Sequence, residues 1–583
     1  MIHPESDDED NQSFTSSGTK SPPPPSPGHK KFLFPKKEYV DHLRPEEINW
    51  FFKQEGDKKW TPFIGYDSLR IECRYRALAF GPQAVGEDID VKERILVRGG
   101  LYEVDVDSKQ CFPIYWSGDV STILRGTWFH DSTWQPLEED YANQLETEHL
   151  ANFIGQRLED APPIIVKGPR PVIHNIRFHE FHIDWNSASE IYLFSESASS
   201  KFMRKVSHSL GWQKCDLVFI FSAGNRLHRG YCYEAVMDDK PPDITHLVFV
   251  IHGIGQKMET GSIVRCCKAV NHLKCKLFPK FDSSNQRAEF LPVEWRSSLK
   301  LDGDTVDNIT PNKMKGVRNI LNSSAMDILY YTSPAYRTEI TNSLEHELNR
   351  LYSLFCQRHP YFEANNGKVS ILAHSLGSVI TYDIITGWKP MKMYDQLVNS
   401  VINDEREQAS GSKELLGELD KARKRVNELE ELLTSVQERQ NSTFKLNFNI
   451  ENLFCIGSPL AVFLALRGLR PQGTGTLEHI LPTDSCKRLF NIYHPSDPVA
   501  YRLEPLVLKH YATIMPLPIH HYDSRHKTPY VKMQRKAYAA LKTTSEEQIN
   551  VKINKVGDNG DKDDSDSASE INLNPSKKFS FCK

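Results

Sequence analysis

One segment near the middle of the chain constrains the fold most, because it joins a buried strand to a helix through an abrupt turn. Residues 369–372 form a short apolar run that leads directly into the pentapeptide AHSLG at residues 373–377. A helix-compatible run follows over residues 378–385. The positions two before and two after the serine are small, as a strand-to-helix turn that lifts a serine hydroxyl out of a sheet requires. The segment therefore predicts a nucleophile, Ser375.

Three other apolar runs predict neighbouring strands of the same sheet. The run at residues 245–251 is continuous, as expected for a strand buried on both faces of a parallel sheet. Residues 453–456 and 489–493 form the other two runs. Because helical stretches separate these runs, a parallel sheet with crossover connections is expected. The predicted fold class is α/β, with an α/β-hydrolase-like core over residues 245–540.

Acyl transfer to a serine also needs hydrogen-bond donors aimed at the developing oxyanion. The backbone N–H of Leu376, which follows the serine, supplies one donor by construction. The second donor should come from an earlier strand end, where Gly253 lets the backbone approach closely. Gly253 and Leu376 are the predicted oxyanion hole.

A serine nucleophile further needs a histidine base and an acid that orients it. In α/β-hydrolases the chain order is Ser, Asp, His, which makes Asp497, just past a buried strand, the predicted catalytic acid. A plain turn residue is the alternative, because Ser-Asp-Pro is also turn chemistry. The base stays open, since none of the downstream candidates follows an obvious core strand; these are His510, His520, His521 and His526.

The N-terminal part of the chain predicts a mostly β domain over residues 41–190. Aromatic residues become dense from Trp50 onwards, and residues 94–106 alternate between apolar and polar side chains. A period of two bounded by glycine is typical of antiparallel strands. We expect the aromatic side chains to form the core rather than a ligand-stacking surface, and residues 191–244 to connect this domain to the next.

Composition predicts disorder at both ends, in a Pro/Ser-rich tail at residues 1–40 and an acidic, Ser-rich tail at residues 545–583. A different pattern occurs in an insertion at residues 405–445. Over residues 413–440, apolar positions recur at alternating spacings of four and three, which predicts a short coiled coil. This segment either forms a homo-oligomer contact or packs as one amphipathic helix on its own domain.

Several classes of protein are excluded by composition. The 583 residues carry a formal net charge of -4, which argues against a nucleic-acid partner. The sequence has no run of about 18 apolar residues, and its acidic, polar first residues are unlike a signal or transit peptide, so neither is expected. The eleven cysteines include no C-x-x-C pair, which favours reduced thiols in the cytosol.

A group of histidines invites a metal interpretation that its spacing does not support. His174, His179 and His182 lie close to Glu180 and Asp184 in the sequence. They match neither H-E-x-x-H nor a zinc-finger framework. We expect histidines that alternate along a strand, and no metal site is predicted here.

Five strings of consecutive residues are distinctive: VIHGIG at 250–255, DILYYTSP at 327–334, HSLGS at 374–378, CIGSPL at 455–460 and HPSDPVAYR at 494–502. In these strings the sequence resembles the intracellular phospholipase A1 family, whose C-terminal module is the DDHD domain. Residues 50–125 are similar to the family's WWE-like region, and Asp497 matches the first Asp of the DDHD quartet. The resemblance covers roughly residues 45–540. It implies a cytosolic, serine-dependent phospholipase A1 that cleaves the sn-1 acyl ester of phosphatidic acid or phosphatidylinositol.

The resemblance also implies that no metal or organic cofactor is needed for catalysis, although metal binding by the DDHD domain is left open. Since the substrate is a membrane lipid, peripheral docking on a phospholipid surface is expected. In the family the remaining Asp, His and Asp of the quartet lie well beyond the first, whereas this chain continues for 86 residues after Asp497. We therefore expect a shortened form; the alternative function is a catalytically weak or inactive membrane-associated scaffold that lacks the family's histidine.

Overall fold

The structure, a computed structural model, describes the chain in separate stretches that fall into two units, residues 1–241 and 242–583. The described residues are 38–81, 94–158, 171–195, 224–253, 286–296, 326–388, 446–471, 486–521, 527–530 and 532–533, with short pieces within 263–318, 417–428 and 480–484.

The first sheet of the N-terminal unit is antiparallel, as the alternating sequence predicts. Its six strands lie in the order β2-β1-β6-β5-β4-β3. Their bounds are β1 Asn49–Gln54, β2 Thr61–Pro62, β3 Ile95–Val97, β4 Tyr102–Asp105, β5 Gln110–Pro113 and β6 Ser121–Gly126. Helix α1, Gly65–Phe80, packs against β1. The Trp50 side chain is buried in this core and donates Nε1–H to Glu72, 3.0 Å away.

A second antiparallel sheet in the same unit has the order β7-β11-β10-β9-β8. Its elements are β7 Trp128–His130, helix α2 Glu139–Phe153, β8 His174–Arg177, β9 Phe181–Ser187, β10 Glu190–Ser195 and β11 Asn225–Arg229. The range 191–244, for which the sequence predicted a connection, thus supplies most of β10 and an interior strand, β11. The sequence NRLHR conceals this strand because only Leu227 is fully buried.

The C-terminal unit is built on a five-stranded sheet whose strands are all parallel, in the order β13-β12-β14-β15-β16. The strands are β12 His246–Ile251, β13 Ala288–Val293, β14 Lys368–His374, β15 Ile450–Ile456 and β16 Cys486–Ile492. Among the described residues its helices include α3 Thr305–Ile309, α4 Pro334–Arg358, α5 Tyr361–Ala364, α6 Leu376–Thr386, α7 Leu460–Leu466 and α8 Glu504–Val507. The α/β character of this unit agrees with the sequence; its assignment to the α/β-hydrolase fold stays a prediction.

The strand register brings the predicted site residues to one edge of this sheet, the edge formed by the carboxyl ends of the strands. Ile251 of β12 pairs with Ala373 of β14, and His374 pairs with Ile456 of β15. Ile456 in turn pairs with Ile492 of β16. Because all strands point the same way, the segments that follow these residues emerge side by side. The site is built from those segments.

Both predicted tails lie outside the described residues, apart from residues 38–40, which hydrogen bond to residues 156–158. Within the insertion, only residues 417–418, 421–422, 424–425 and 428 are described, and they are helical. Leu419, Val426 and Leu429 of the apolar seam lie outside them, so the coiled coil stays a prediction. In the described part of the chain, no helix is long and apolar enough to span a membrane.

Candidate active site

Ser375 occupies a backbone conformation that few residues other than glycine adopt. Its φ is 51° and its ψ is −124°, at the junction between β14 and α6. Its N–H donates to the Ile456 carbonyl at 2.9 Å, and its own carbonyl accepts from Ser378 Oγ at 2.8 Å. Such strain typically costs about 1–3 kcal/mol and persists only where the surroundings enforce it. The strand, strained serine and helix form the sharp elbow that the AHSLG sequence predicts.

Two glycines explain why small residues are needed around this elbow. A Cβ atom added to Gly377 would lie 2.4 Å from the carbonyl oxygen of His252. A Cβ atom added to Gly253 would lie 2.8 Å from Cβ of Ser375. The end of β12 and the start of α6 therefore approach each other more closely than any side chain would allow.

This approach places both predicted oxyanion donors beside Ser375. Leu376 is the first residue of α6, so its N–H has no acceptor within the helix and lies at the positive end of the helix dipole. Gly253 is the second residue beyond the end of β12. Ile254, the next residue along this loop, lies outside the described residues. Two backbone N–H groups on neighbouring strand ends can stabilise an oxyanion that forms on a substrate carbonyl.

Asp497 lies at the same edge and also closes a turn, so the structure contains features of both interpretations of this residue. Its N–H donates to the His494 carbonyl at 3.0 Å, and its Oδ1 accepts from the Val499 N–H at 2.9 Å. Its second oxygen, Oδ2, faces Gly457, whose φ is +54°, and would lie 2.9 Å from a Cβ added there. The turn thus fixes one carboxylate oxygen and leaves the other directed at the loop after β15.

The imidazole that approaches Asp497 is that of His374, which sequence reasoning did not single out. A Cβ atom added to Gly457, which would lie 2.9 Å from Asp497 Oδ2, would also lie 3.7 Å from Nε2 of His374. On the other side of the ring, a Cβ atom added to Gly253 would lie 3.3 Å from Nδ1 of His374. Burial lowers the pKa of His374, and the carboxylate of Asp497 acts in the opposite direction. Sequence reasoning missed His374 because it occupies the position before the serine, where the small-x-Ser-x-Gly motif specifies no residue type.

No observed contact identifies any of the four histidines downstream of Asp497 as the base. His520 directs Nε2 at the Thr528 carbonyl, 2.9 Å away, and its ring packs on Tyr530. His510 and His521 are exposed, and His526 lies outside the described residues. Among the described residues, Ser375 Oγ has no hydrogen-bond partner. No contact in the described stretches therefore assigns the base to one of these four histidines.

A network of buried charged side chains anchors α6, the nucleophile helix, which begins directly after Ser375. Asp383 of α6 is 3% exposed and accepts hydrogen bonds from Arg337, at 2.8 Å, and Arg467, at 2.5 and 2.9 Å. Tyr331 donates a fourth bond to the same carboxylate. Both guanidinium groups also pack on the ring of Trp388. The network ties α6 to α4 and to Arg467, the residue just beyond α7.

Two of the three histidines that invited a metal interpretation contact other side chains. His174 Nε2 lies 3.1 Å from a carboxylate oxygen of Glu148. The ring of His182 stacks on Phe194, with 5.2 Å between centroids. Across the described stretches of the chain, no cluster of three or more His, Cys, Asp or Glu side chains has the geometry to hold a metal ion.

Two domain families match the sequence. The DDHD domain matches residues 446–579, and the WWE domain matches residues 36–125. The first match begins after the Ser375 elbow and extends into the segment where composition predicts a disordered tail. The second covers the first β-sheet of the N-terminal unit, as expected from the sequence.

Curated relatives align over most of the chain. Phospholipase DDHD1 of Bos taurus is 47% identical over 551 residues, which cover 85% of this chain and 62% of the relative. Intracellular phospholipase A1 of Caenorhabditis elegans is 34% identical over 519 residues, 82% of this chain and 58% of the relative. Triacylglycerol hydrolase DDHD2 of Mus musculus is 29% identical over 571 residues, 84% of this chain and 76% of the relative.

These matches assign the chain to a class of DDHD- and WWE-domain proteins that includes lipid ester hydrolases. The chain belongs to the DDHD-domain phospholipase A1 family. It spans about three fifths of the length of the phospholipases that it matches. No solved structure shows significant similarity to it.

Proposed function

We propose that the chain is a serine-dependent phospholipase A1, which hydrolyses the sn-1 acyl ester of a phospholipid such as phosphatidic acid or phosphatidylinositol. The observation that carries the proposal is the strained Ser375 at the start of α6, with Gly253 pressed against it. Strained backbone at a strand-to-helix turn is the feature that a nucleophilic serine requires and that a structural serine does not.

In the proposed reaction, Ser375 Oγ attacks the ester carbonyl carbon and its proton passes to a histidine base. The N–H groups of Leu376 and Gly253 bind the negative oxygen of the tetrahedral intermediate. Each such donor typically lowers the barrier by about 2.7–4 kcal/mol. The base then protonates the departing lysophospholipid alcohol, and water releases the fatty acid from the acyl-enzyme by the same steps. Asp497 orients the base through Oδ2, since the turn already occupies Oδ1.

The lipid substrate is supported by the relatives, which are named phospholipases, and by the surface beside Asp497. Val499 and Tyr501, two and four residues further on, are 43% and 48% exposed. The Tyr501 N–H donates to the Ser458 carbonyl at 3.1 Å, which keeps this surface next to the Gly457 loop. Apolar side chains at the rim of the site suit a cytosolic enzyme that docks peripherally on a bilayer to reach an acyl ester.

The test is hydrolysis of vesicles that contain phosphatidic acid with a labelled sn-1 chain. The full chain should release the labelled fatty acid, and Ser375→Ala should lower kcat by on the order of 10⁶ without loss of folding. The matched control is Ser195→Ala, an exposed serine of the N-terminal unit, which should retain parental activity. Activity of Ser375→Ala within tenfold of the parent would remove Ser375 from the reaction. Preferential release from triacylglycerol droplets would instead correct the substrate class.

A second candidate is a weak or silent membrane-associated scaffold. It is favoured by one observation: the imidazole on which Asp497 acts is that of His374, while His520 directs its Nε2 at the Thr528 carbonyl. Without its base, a triad enzyme retains acceleration of only about 10³–10⁴-fold over water. Folded protein that binds vesicles but leaves a fluorophosphonate probe unreacted would favour the scaffold.

A further inference from the structure

We propose that Trp295 is a positioning residue, which fixes the peptide group between His252 and Gly253 so that the Gly253 N–H points at the oxyanion. The inference rests on the proposed serine hydrolase function, in which Gly253 is an oxyanion donor. Trp295 lies two residues beyond the end of β13, at the same sheet edge as Ser375. Sequence analysis assigned it no role.

Two independent contacts join Trp295 to this peptide. Its indole Nε1–H donates to the His252 carbonyl oxygen at 3.2 Å. Its ring also stacks on the His252 imidazole, with 5.1 Å between centroids and 12° between planes. The two side chains are 1% and 4% exposed, so water cannot replace the hydrogen bond without opening the core.

The hydrogen bond determines the direction of the donor because a peptide unit is planar. In a trans peptide, the carbonyl of His252 and the N–H of Gly253 belong to one plane and point in opposite directions. Anchoring the oxygen on Trp295 therefore aims the N–H away from the indole. A donor bound to the carbonyl also polarises the peptide, which strengthens the N–H as a donor on the other side.

Other contacts hold the same peptide and its anchor in place. The His252 carbonyl oxygen is the atom that a side chain at Gly377 would meet, so the nucleophile helix limits its movement from one side. The ring of His252 donates Nδ1–H to the Gly253 carbonyl at 3.0 Å, which ties the side chain to the next peptide. Trp295 itself is fixed through its own carbonyl, which accepts from Ser343 Oγ of α4 at 3.3 Å.

The His252 imidazole that stacks on the Trp295 indole is neutral near pH 7. Burial lowers the pKa of His252 to about 4, and the nearby Arg296 and His374 act in the same direction, whereas the bond to the Gly253 carbonyl opposes them. The stacked pair should thus hold the peptide without change across the neutral range. Loss of the indole N–H should lower the rate by a similar factor at pH 6 and pH 8.

The test replaces the indole while keeping an aromatic ring. Trp295→Phe should lower kcat for p-nitrophenyl butyrate by on the order of 10- to 100-fold, with KM within about twofold, because the donor acts only on the transition state. The matched control is Trp128→Phe in the N-terminal unit, which loses an equivalent indole bond to Glu146 (3.0 Å) and should keep parental kcat. If Trp295→Phe proves unstable to urea, benzothienyl-alanine at position 295 removes the N–H without changing the shape.

The outcomes separate this inference from the function on which it rests. An active parent whose Trp295→Phe or benzothienyl variant keeps the parental kcat would overturn the positioning role and leave the hydrolase intact. A variant that raises KM with unchanged kcat would overturn it too, since the indole would then act on substrate binding. A folded parent that neither hydrolyses the ester nor reacts with a fluorophosphonate would refute the proposed function and this inference together.

Discussion

Replacing Gly377 by alanine tests how closely the nucleophile helix must approach the oxyanion loop. The new methyl group would lie 2.4 Å from the His252 carbonyl oxygen, about 1 Å short of the 3.4 Å at which ordinary contact begins. That neighbour is backbone, so the strand end and the helix must separate rather than a side chain rotate away. Overpacking of this kind costs typically about 1–3 kcal/mol of stability. A displacement of about 1 Å at reacting groups can cost about 10²-fold in rate.

We therefore expect Gly377→Ala to lower kcat/KM for p-nitrophenyl butyrate by about 100-fold and to lower the urea midpoint moderately. The control is Gly417→Ala, because a Cβ at Gly417 would meet nothing within 4 Å. This control should leave activity unchanged. Parental activity and stability in Gly377→Ala would show that the approach of α6 to β12 is looser than the structure has it, and the account of the oxyanion hole would fail with it.

Three further predictions concern stability and assembly. Asp383→Asn leaves two largely buried arginines uncompensated and should lower the free energy of unfolding in urea by about 3–5 kcal/mol; a loss below about 1 kcal/mol would contradict the network. Burial lowers the pKa of His149 from 6.5 to about 4, so between these values the unfolded chain binds more protons and stability falls with falling pH. His149→Gln should remove about 3 kcal/mol of that pH dependence in urea unfolding at pH 4 and pH 7, and an unchanged slope would refute it. Changing Leu419, Val426 and Leu429 to serine should reduce the mass of any oligomer in light scattering, and an unchanged mass would retire the coiled-coil contact.

The parts of the site that lie close together in sequence were predictable from it. The strand, the small neighbours and the helix around Ser375 are local features, and the structure shows all three as one strained turn. Gly253 could be inferred because a glycine at a neighbouring strand end lets the backbone approach. The DDHD and WWE assignments were likewise predictable, since they depend on strings of consecutive residues.

The parts that depend on distant contacts were not predictable. Arg467 reaches Asp383 from 84 positions further along the chain, and no periodicity marks either residue. Trp295 reaches His252 only because β12 and β13 are parallel neighbours, which a single sequence does not specify. The interior strand Asn225–Arg229 was missed because its short polar sequence lacks the apolar alternation of the other strands.

The most direct test of the account is the site of covalent labelling by a fluorophosphonate, which reacts with activated serines. The folded full chain should carry the phosphonyl group on Ser375 in peptide mass spectra. Labelling should disappear both in Ser375→Ala and in parent protein unfolded in urea, because activation depends on the folded elbow. Folded protein that stays unlabelled, or that carries the label on another serine, would contradict the assignment of Ser375 as the nucleophile.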